Sequence, residues 1–165
     1  MRIVGERFEK GEYFLSDLIL SAEIFKNAFA LLEPKLSKTG RSGTVRTVVF
    51  GTVHGDIHDV GKNIVVTLLR SHAFEVHDLG VDVPETSFVN ACKETSARIL
   101  GMSGLITTSF GSMKRTVEAL GEAKIRSQVR VMIGGGIVNE KVRIHAGADA
   151  WGKDVMAAVK LAGSL

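Results

Sequence analysis

Several residue types and sequence features are scarce in this chain. One cysteine, Cys92, stands among 165 residues, which excludes an internal disulfide and a cysteine-rich zinc site. It lies in an apolar helical pattern, so we expect a plain buried or half-buried thiol. No apolar run approaches the roughly 18 residues of a membrane span, and the N-terminus lacks the apolar core of a signal peptide. We therefore expect a cytoplasmic protein of a reducing compartment that does not associate with membranes.

Neither sign of charge dominates. Lysine and arginine number 21 and aspartate and glutamate 18, which gives a net charge of +3. This small surplus is scattered along the chain, so we expect no nucleic-acid partner. Hydrophobic residues make up 45% and charged residues 24% of the chain. That is the usage of an ordinary globular protein with enough apolar side chains for a core.

Proline is also scarce, and one of the two prolines marks a change in composition. Pro34 lies in the stretch Glu33–Gly43, which is rich in glycine, serine and basic residues. Such a composition is typical of a linker. We therefore divide the chain into residues 1–33, a linker at residues 34–43 and a main domain at residues 44–165.

Residues 1–33 have the pattern of a short helix, Arg2–Glu9, and a longer one, Phe14–Leu32. Along the longer helix apolar residues recur at intervals of three and four, and further apolar positions lie beyond that stripe. A helix that is apolar on more than one face needs partners on two sides. Two helices cannot close a bundle, so we expect a partial helical cap that is covered by a second copy, as in a homodimer, or by a partner protein.

The main domain alternates between strand and helix patterns. The predicted strands are Val45–Val53, Phe74–Leu79, Arg98–Ser103, Val129–Ile133 and Ala148–Trp151. The predicted helices are Gly61–His72, Glu85–Ser96, Ser112–Ala123, Asn139–His145 and Asp154–Leu161. Five β–α units in a row predict an α/β fold with a doubly wound parallel sheet. With five strands we expect the flavodoxin-like order 2-1-3-4-5.

In such a sheet, ligands bind at the carboxyl ends of the strands, in the crevice between strands 1 and 3. The loop after strand 1 reads HGDIHD, with two histidines and two aspartates in residues 54–59. Asp56 and His58 are two residues apart, so both can point into the crevice, and a metal-ligating histidine usually hands its other nitrogen to a carboxylate. Ser103 at the end of strand 3 could hold Asp56. We expect Asp59 to cap the helix that follows.

Glycines follow strand 4 as Gly134–Gly136, and Gly61 and Gly104 lie near the same sheet edge. Their spacing and position do not fit a dinucleotide fingerprint. They predict instead the close approach of something bulky to the backbone, in a cleft between strands 1, 3 and 4. Lys62 and Asn63 open the adjoining helix, where an anionic group of a ligand would be favoured. We expect the remaining histidines, His72, His77 and His145, to be structural.

Three short motifs carry a resemblance to a known family. Asp56-x-His58-x-x-Gly61, then Ser103-x-Leu105, then Gly134-Gly135, in this order and at these strand ends, resemble cobalamin-binding domains. The string GTVHGDIHDVGKNIV is similar to the corrinoid proteins of anaerobic methyltransferase systems and to the cobalamin module of methionine synthase. The aromatic helix near the N-terminus is similar to the second half of the four-helix cap of those proteins.

The resemblance implies a cobalamin cofactor whose benzimidazole tail lies in the cleft while His58 binds the cobalt. It implies that Asp56 and Ser103 act behind His58 as a proton relay, while the cobalt cycles between Co(I) and methyl-Co(III). Further residues would contact the cofactor; by the family motifs these are Gly55, Ile57, Asp59, Gly61, Leu105, Thr107, Gly134 and Gly135.

The resemblance further implies a methyl carrier rather than a complete enzyme. Its expected partners are a substrate-specific methyltransferase, an acceptor methyltransferase and a reductive activator. The methyl donor stays open between methanol, a methylamine, a methylthiol and an aryl methyl ether.

Three alternatives remain beside this interpretation. An adenosylcobalamin mutase subunit would share the first motif, although the Gly-Lys-Asn that follows it and the aromatic helix favour methyl transfer. A B12 sensor would normally carry an output domain, and no helix-turn-helix pattern is visible. A metal-dependent hydrolase would need more ligands than HGDIHD and the later loops provide.

Overall fold

The structure is a computed structural model that describes residues 3, 4, 7, 10–36 and 46–165. The chain divides into two compact units, Met1–Lys38 and Thr39–Leu165, and the division falls within the predicted linker. Of that linker, residues 37–43 lie outside the described residues, as does most of the predicted helix Arg2–Glu9. No helix in the described ranges is both long and apolar enough to cross a bilayer.

The main element of the first unit is helix α1, Leu15–Leu36. It ends four residues later than the predicted end at Leu32, because it continues through Pro34. Proline lacks the N–H of a helical hydrogen bond, but only two further helical residues follow it. Among the side chains of this region that the structure describes, five large apolar ones are exposed, namely Phe14, Leu20, Ile24, Leu31 and Leu32.

The second unit is a five-stranded parallel sheet in the order 2-1-3-4-5, as predicted. Its strands are β1 Arg46–Thr52, β2 Phe74–Asp78, β3 Ile99–Ser103, β4 Arg130–Gly134 and β5 Ala150–Gly152. Its helices are α2 Val60–Ser71, α3 Glu85–Thr95, α4 Ser109–Glu122, α5 Glu140–Ala146 and α6 Val155–Ser164.

The sheet is buried on both faces, as expected for parallel strands joined by helices. On one face Val49 packs with apolar residues of α3, α4 and α5. On the other face Val48 and Phe50 pack with α2 and α6. The alternation along β1 follows from the period of two, by which successive side chains point to opposite faces. The lone cysteine, Cys92, is buried in the first of these layers, and burial raises its pKa to about 12.

The register brings the strand ends to one level. Thr52 of β1 pairs with Ser103 of β3, Ser103 with Gly134 of β4, and Gly134 with Gly152 of β5. The loops after these strands therefore start side by side at one edge of the sheet. This edge is where the functional residues predicted from the sequence are expected to meet.

Helix α4 begins earlier than predicted. The sequence pattern places its start at Ser112, whereas the structure has it at Ser109. The run Ser109–Ser112 contains Gly111 and two serines, which hide the apolar period of the first helical turn. The difference matters because the first turn brings Ser109, which is fully buried, under the loop that follows β1.

Candidate functional site

The loop after β1, residues 53–59, is called the histidine loop below. It starts with a tight turn in which the Asp56 N–H donates to the Val53 carbonyl at 3.1 Å. Gly55 has φ +83° in this turn, a left-handed conformation that favours glycine. The turn directs the Asp56 side chain into the protein, where it is fully buried, and leaves half of the His58 side chain exposed, at 52%.

The buried carboxylate of Asp56 accepts hydrogen bonds on both oxygens. Oδ2 accepts from the Leu105 N–H at 2.6 Å, the Ser109 hydroxyl at 2.7 Å and the Ile106 N–H at 3.4 Å. Oδ1 accepts from the His58 N–H at 3.0 Å and lies 2.7 Å from His58 Nδ1. Burial alone would raise the pKa of Asp56, but these hydrogen bonds outweigh it and hold the pKa well below its usual range.

The hydroxyl behind Asp56 belongs to Ser109, which corrects the expectation for Ser103. Ser103 is the last residue of β3 and lines the cleft described below. Its carbonyl accepts from the Val53 N–H at 3.1 Å, while the hydroxyl contact to Asp56 comes from the first turn of α4. The sequence offered one signal for this, a serine at the start of a helix after the correct strand, but it lay in a stretch interpreted as loop.

The contact with Asp56 fixes the tautomer of His58. An ionised carboxylate can only accept, so the proton of a neutral His58 ring must be on Nδ1. The lone pair is then on Nε2, at the side of the ring that faces away from Asp56. The main chain is held as well, because the Thr52 hydroxyl donates to the His58 carbonyl at 2.9 Å. His58 thus presents a single exposed nitrogen donor from an anchored loop.

A cleft of about 190 Å³ opens at the same edge of the sheet, lined by the ends of β1, β3, β4 and β5 and by residues of α2 and α6. We call it the glycine-lined cleft. Its walls are mostly apolar side chains and glycines, and its polar lining groups include Lys62, Ser103, Lys153 and Asp154. The glycines that line it are Gly61, Gly134, Gly135, Gly136 and Gly152.

The glycines at this edge of the sheet have two different roles. Gly135 has φ +141°, and a Cβ there would lie 1.8 Å from the Gly104 carbonyl oxygen. A Cβ on Gly104 would in turn lie 2.6 Å from the Ser109 Cβ. At these two positions glycine is therefore required by close contacts within the protein itself, a reason that the sequence did not indicate. A Cβ on Gly61 would instead meet nothing within 4 Å, so this residue leaves room within the cleft.

Two predicted roles at the start of α2 are not found. Lys62 lines the cleft but is buried, and its Nζ lies 2.5 Å from Asp78 Oδ2. The charge of Lys62 is therefore balanced by the protein rather than offered to an anionic ligand. Asp59 occupies the N-cap position of α2, but its side chain makes no capping hydrogen bond. Its φ and ψ are already helical, at −115° and −22°, whereas a capping side chain needs an extended backbone.

An apolar rim surrounds this edge of the sheet. Ile57 is 73% exposed next to His58, and Leu105 is 41% exposed beside Asp56. Ile106 and Ile137 are also exposed, while Thr107 lies exposed just before α4. Exposed apolar side chains grouped around one polar residue indicate a surface that a ligand or partner covers.

A metal bound here would have to bring most of its own ligands. Within the described ranges, no three histidine, cysteine, aspartate or glutamate side chains are grouped so that they could hold a metal ion. A hydrolytic metal centre normally uses three protein ligands, so the hydrolase alternative has no ligand set in these parts of the chain. A single histidine donor suits a metal that is already held by a macrocycle.

These features define a class: a flavodoxin-like domain with one half-exposed histidine and a largely apolar cleft at the carboxyl edge of its sheet. Comparison with known proteins identifies the family. Residues 46–160 match the B12 binding domain, and residues 1–33 match a second family described as B12 binding domain. The chain therefore belongs to the B12-binding corrinoid proteins, as its motifs indicated.

Named relatives agree with this assignment. The dimethylamine corrinoid protein 3 of Methanosarcina acetivorans is 39% identical over all of this chain and 77% of its own length. The monomethylamine corrinoid protein of Methanosarcina barkeri superposes with a TM-score of 0.86 at 34% identity, over 98% of this chain and 76% of that one. The methanol:cobalamin methyltransferase complex of the same organism matches 98% of this chain and 61% of its own at 29% identity and a TM-score of 0.69.

Proposed function

We propose that this protein is a corrinoid methyl carrier that binds cobalamin with His58 on the cobalt and the nucleotide base in the glycine-lined cleft. One observation carries the proposal: His58 Nδ1 is tied to the buried Asp56 carboxylate at 2.7 Å, which leaves Nε2 of this half-exposed ring as the nitrogen that can bind a metal. When bound, cobalamin supplies a cobalt centre that accepts a methyl group from one substrate and gives it to another.

The cleft supports the proposal by its size and its walls. A dry apolar cavity of about 150 Å³ accepts a benzene ring, so the cleft of about 190 Å³ offers room for a somewhat larger flat aromatic base. Gly61 adds to this fit, because its missing side chain leaves open space at a wall of the cleft. The apolar rim of Ile57, Leu105, Ile106 and Ile137 suits the face of a large macrocycle.

In this arrangement the residues around His58 would hold and tune the nitrogen that binds the metal. Asp56 orients the His58 ring and increases the electron density at Nε2, as carboxylates do behind metal-bound histidines. Ser109 and the Leu105 N–H hold Asp56 in turn. If Nε2 carried a proton instead of binding the metal, the ionised Asp56 carboxylate would stabilise the resulting imidazolium of His58.

Methyl transfer requires other proteins, and we propose a substrate-specific methyltransferase, an acceptor methyltransferase and a reductive activator as partners. The similarity to the methanol:cobalamin methyltransferase complex supports the first of these. The other two follow from the chemistry of a carrier, which must be unloaded and kept in its active oxidation state.

Histidine coordination is tested with the purified protein and hydroxocobalamin. The Co(II) form should give an electron paramagnetic resonance spectrum with nitrogen coupling from a histidine. In protein labelled with ¹⁵N-histidine this coupling should change to that of ¹⁵N, whereas coupling from the cofactor's own base would not change. His58→Ala should lose the histidine signal, and His145→Ala, an exposed histidine of α5, should keep it. If the ¹⁵N-histidine-labelled wild type instead showed only the unchanged coupling of the cofactor's own benzimidazole, the assignment would be contradicted.

The exposed apolar side chains of α1 need a cover, and we propose that a second copy of the chain provides it. Ile24 and Leu31 are 60% and 79% exposed in the first unit, which is unfavourable in water. Light scattering should report a dimer that Ile24→Asp dissociates, whereas Ile144→Asp, at a similarly exposed position of the second unit, should not affect it. If the wild type is a monomer by itself and buries the apolar side chains of α1 only in a complex with a methyltransferase, the homodimer is contradicted.

A further inference from the structure

Asp82 lies in the loop after β2 and is outside the set of site residues described so far, yet it makes three contacts with the histidine loop. Its Oδ1 accepts from the Gly55 N–H at 2.7 Å and lies 2.8 Å from His54 Nδ1. Its own N–H donates to the Asp56 main-chain carbonyl at 2.9 Å. Residues 54, 55 and 56 are therefore each bound to Asp82.

The backbone of Asp82 is built for these contacts. Its φ is +52°, in the left-handed region that aspartate enters more readily than most residues other than glycine. In this conformation the main-chain N–H and the carboxylate both reach the same loop. The next residue, Val83, continues the attachment, since its N–H donates to the Thr52 carbonyl at 3.0 Å.

The contact acts on the turn that places Asp56 and His58. Gly55 is the left-handed residue of that turn, and its N–H has Asp82 as its acceptor. If the turn opened, the Asp56 carboxylate would leave its donors Leu105 and Ser109, and the His58 ring would lose its fixed tautomer. A residue that closes the turn therefore acts on the metal-binding nitrogen without touching it.

The charge of Asp82 contributes less than its geometry. The side chains of His54 and Asp82 are 55% and 53% exposed, and ion pairs between exposed groups contribute little. The hydrogen bond to the Gly55 N–H does not depend on a full negative charge, and an amide oxygen can accept it equally well. Geometry and charge can therefore be separated by substitution at this single position.

We infer that Asp82 is a positioning residue for His58: it closes the turn of the histidine loop and so keeps Asp56 and the His58 tautomer in place. This inference rests on the proposed function, in which His58 Nε2 binds the cobalt. It adds a third layer behind the metal, in which Asp82 holds the turn, Asp56 holds the ring and the ring binds the metal.

The test compares Asp82→Gly, which keeps the left-handed backbone but removes the carboxylate, with Asp82→Asn, which keeps an oxygen acceptor. Glu85→Gln is the matched control for charge, because it removes a carboxylate charge that also interacts with His54, while the hydrogen bond that Glu85 accepts comes from Arg115, at 2.7 Å. Two quantities are measured on folded protein: the ¹⁵N shifts of the His58 ring without cofactor, and the histidine coupling and affinity with Co(II) cobalamin.

Asp82→Gly should give a mixture of His58 tautomers, a weaker histidine signal and an affinity lower by about 10-fold, the lower end of what outer partners of metal ligands contribute. Asp82→Asn and Glu85→Gln should behave like the wild type. Wild-type tautomer and coupling in Asp82→Gly would overturn the inference, even if its stability fell. An equal loss in Asp82→Asn would also overturn it. A wild type without histidine coupling would contradict the proposed function instead.

Discussion

The histidine loop and the glycine-lined cleft lie side by side at one edge of the sheet, but they are built in opposite ways. The histidine loop is dense in hydrogen bonds, and its buried carboxylate alone accepts five. The cleft is apolar, and much of its wall consists of glycines and core side chains. The histidine loop determines the orientation of the His58 ring, whereas the cleft provides a cavity of defined shape.

This difference in construction predicts how each region responds to amino-acid substitutions. Hydrogen-bonded groups in a buried network depend on one another, so the removal of one leaves the others unsatisfied. A cleft between packed strands depends on volume, so an added side chain has a local effect. We therefore expect substitutions in the histidine loop to act mainly through stability and ring orientation, and those in the cleft mainly through ligand binding.

The largest expected effect is that of Asp56→Ala on folding. It removes the acceptor of two or more buried donors, so the free energy of unfolding should fall by about 3–5 kcal/mol, from penalties of about 1–3 kcal/mol for each unsatisfied group. Urea denaturation followed by circular dichroism measures this. Asp154→Ala is the control: it removes an exposed helix cap with one donor and should cost about 1 kcal/mol. Equal losses in the two variants would contradict the special role of the buried carboxylate.

Gly135→Ala tests the side of the cleft that the protein itself fills. The new Cβ would collide with the Gly104 carbonyl, 1.8 Å away, at a φ of +141°. We expect a loss of about 1–3 kcal/mol, the usual cost of a strained backbone position. Gly121→Ala in α4 has open space around its Cβ and should not destabilise the protein. If Gly135→Ala unfolded like the wild type, β3 and β4 would not be held as closely as the structure has them.

Gly61→Met tests the open side of the cleft. Because nothing lies within 4 Å of a Cβ at this position, the variant should fold as well as the wild type. The added side chain should fill part of the cleft and lower cobalamin affinity by about 10-fold, equivalent to 1.4 kcal/mol. Titration followed by absorbance measures this affinity, with Gly121→Met, which also has open space, as the control. Undiminished affinity in Gly61→Met would place the nucleotide base elsewhere.

Ser109→Ala and Ser103→Ala decide which serine supports Asp56. Loss of the Ser109 hydroxyl, 2.7 Å from the carboxylate, should lower the free energy of unfolding by about 1.5 kcal/mol, as for a hydrogen bond to a charged group. It should also shift the Co(II)/Co(I) potential. Ser103→Ala should change neither quantity. If Ser103→Ala changed both quantities and Ser109→Ala changed neither, Ser103 would be the serine that supports Asp56, as predicted from the sequence.

The smallest effect is that of pH on the cofactor-free protein. The folded-state pKa of Asp56 lies below its unfolded value, so its contribution to stability is complete above about pH 5 and is lost as the pH falls toward the folded pKa. For an unfolded pKa of about 3.9, the loss from this group between pH 6 and pH 3 should be about 1 kcal/mol. The stability difference between wild type and Asp56→Asn should narrow by that amount. A constant difference would contradict the lowered pKa.

The motifs and the alternation of strands and helices were sufficient to predict the five-stranded sheet, its order and the family. Those features depend on local period and on loop residues next to each other in the chain, such as Asp56 and His58. Element ends were less accurate, as the earlier start of α4 and the later end of α1 illustrate. Where small or polar residues hide the apolar period, the sequence carries little information about the boundary.

The supporting residues of the site required the tertiary structure. Ser109 and Asp82 contact the histidine loop across 53 and 27 residues of chain, and their neighbours in sequence do not distinguish them from loop and helix-capping residues. The buried pairing of Lys62 with Asp78 was equally hidden, because it depends on how α2 lies against the end of β2. The sequence by itself thus determined which residue types meet at the sheet edge, since parallel strands end there together. Only the tertiary structure decided which of them hydrogen-bond, because a few tenths of an ångström in the distance between groups of distant segments decide whether a hydrogen bond forms.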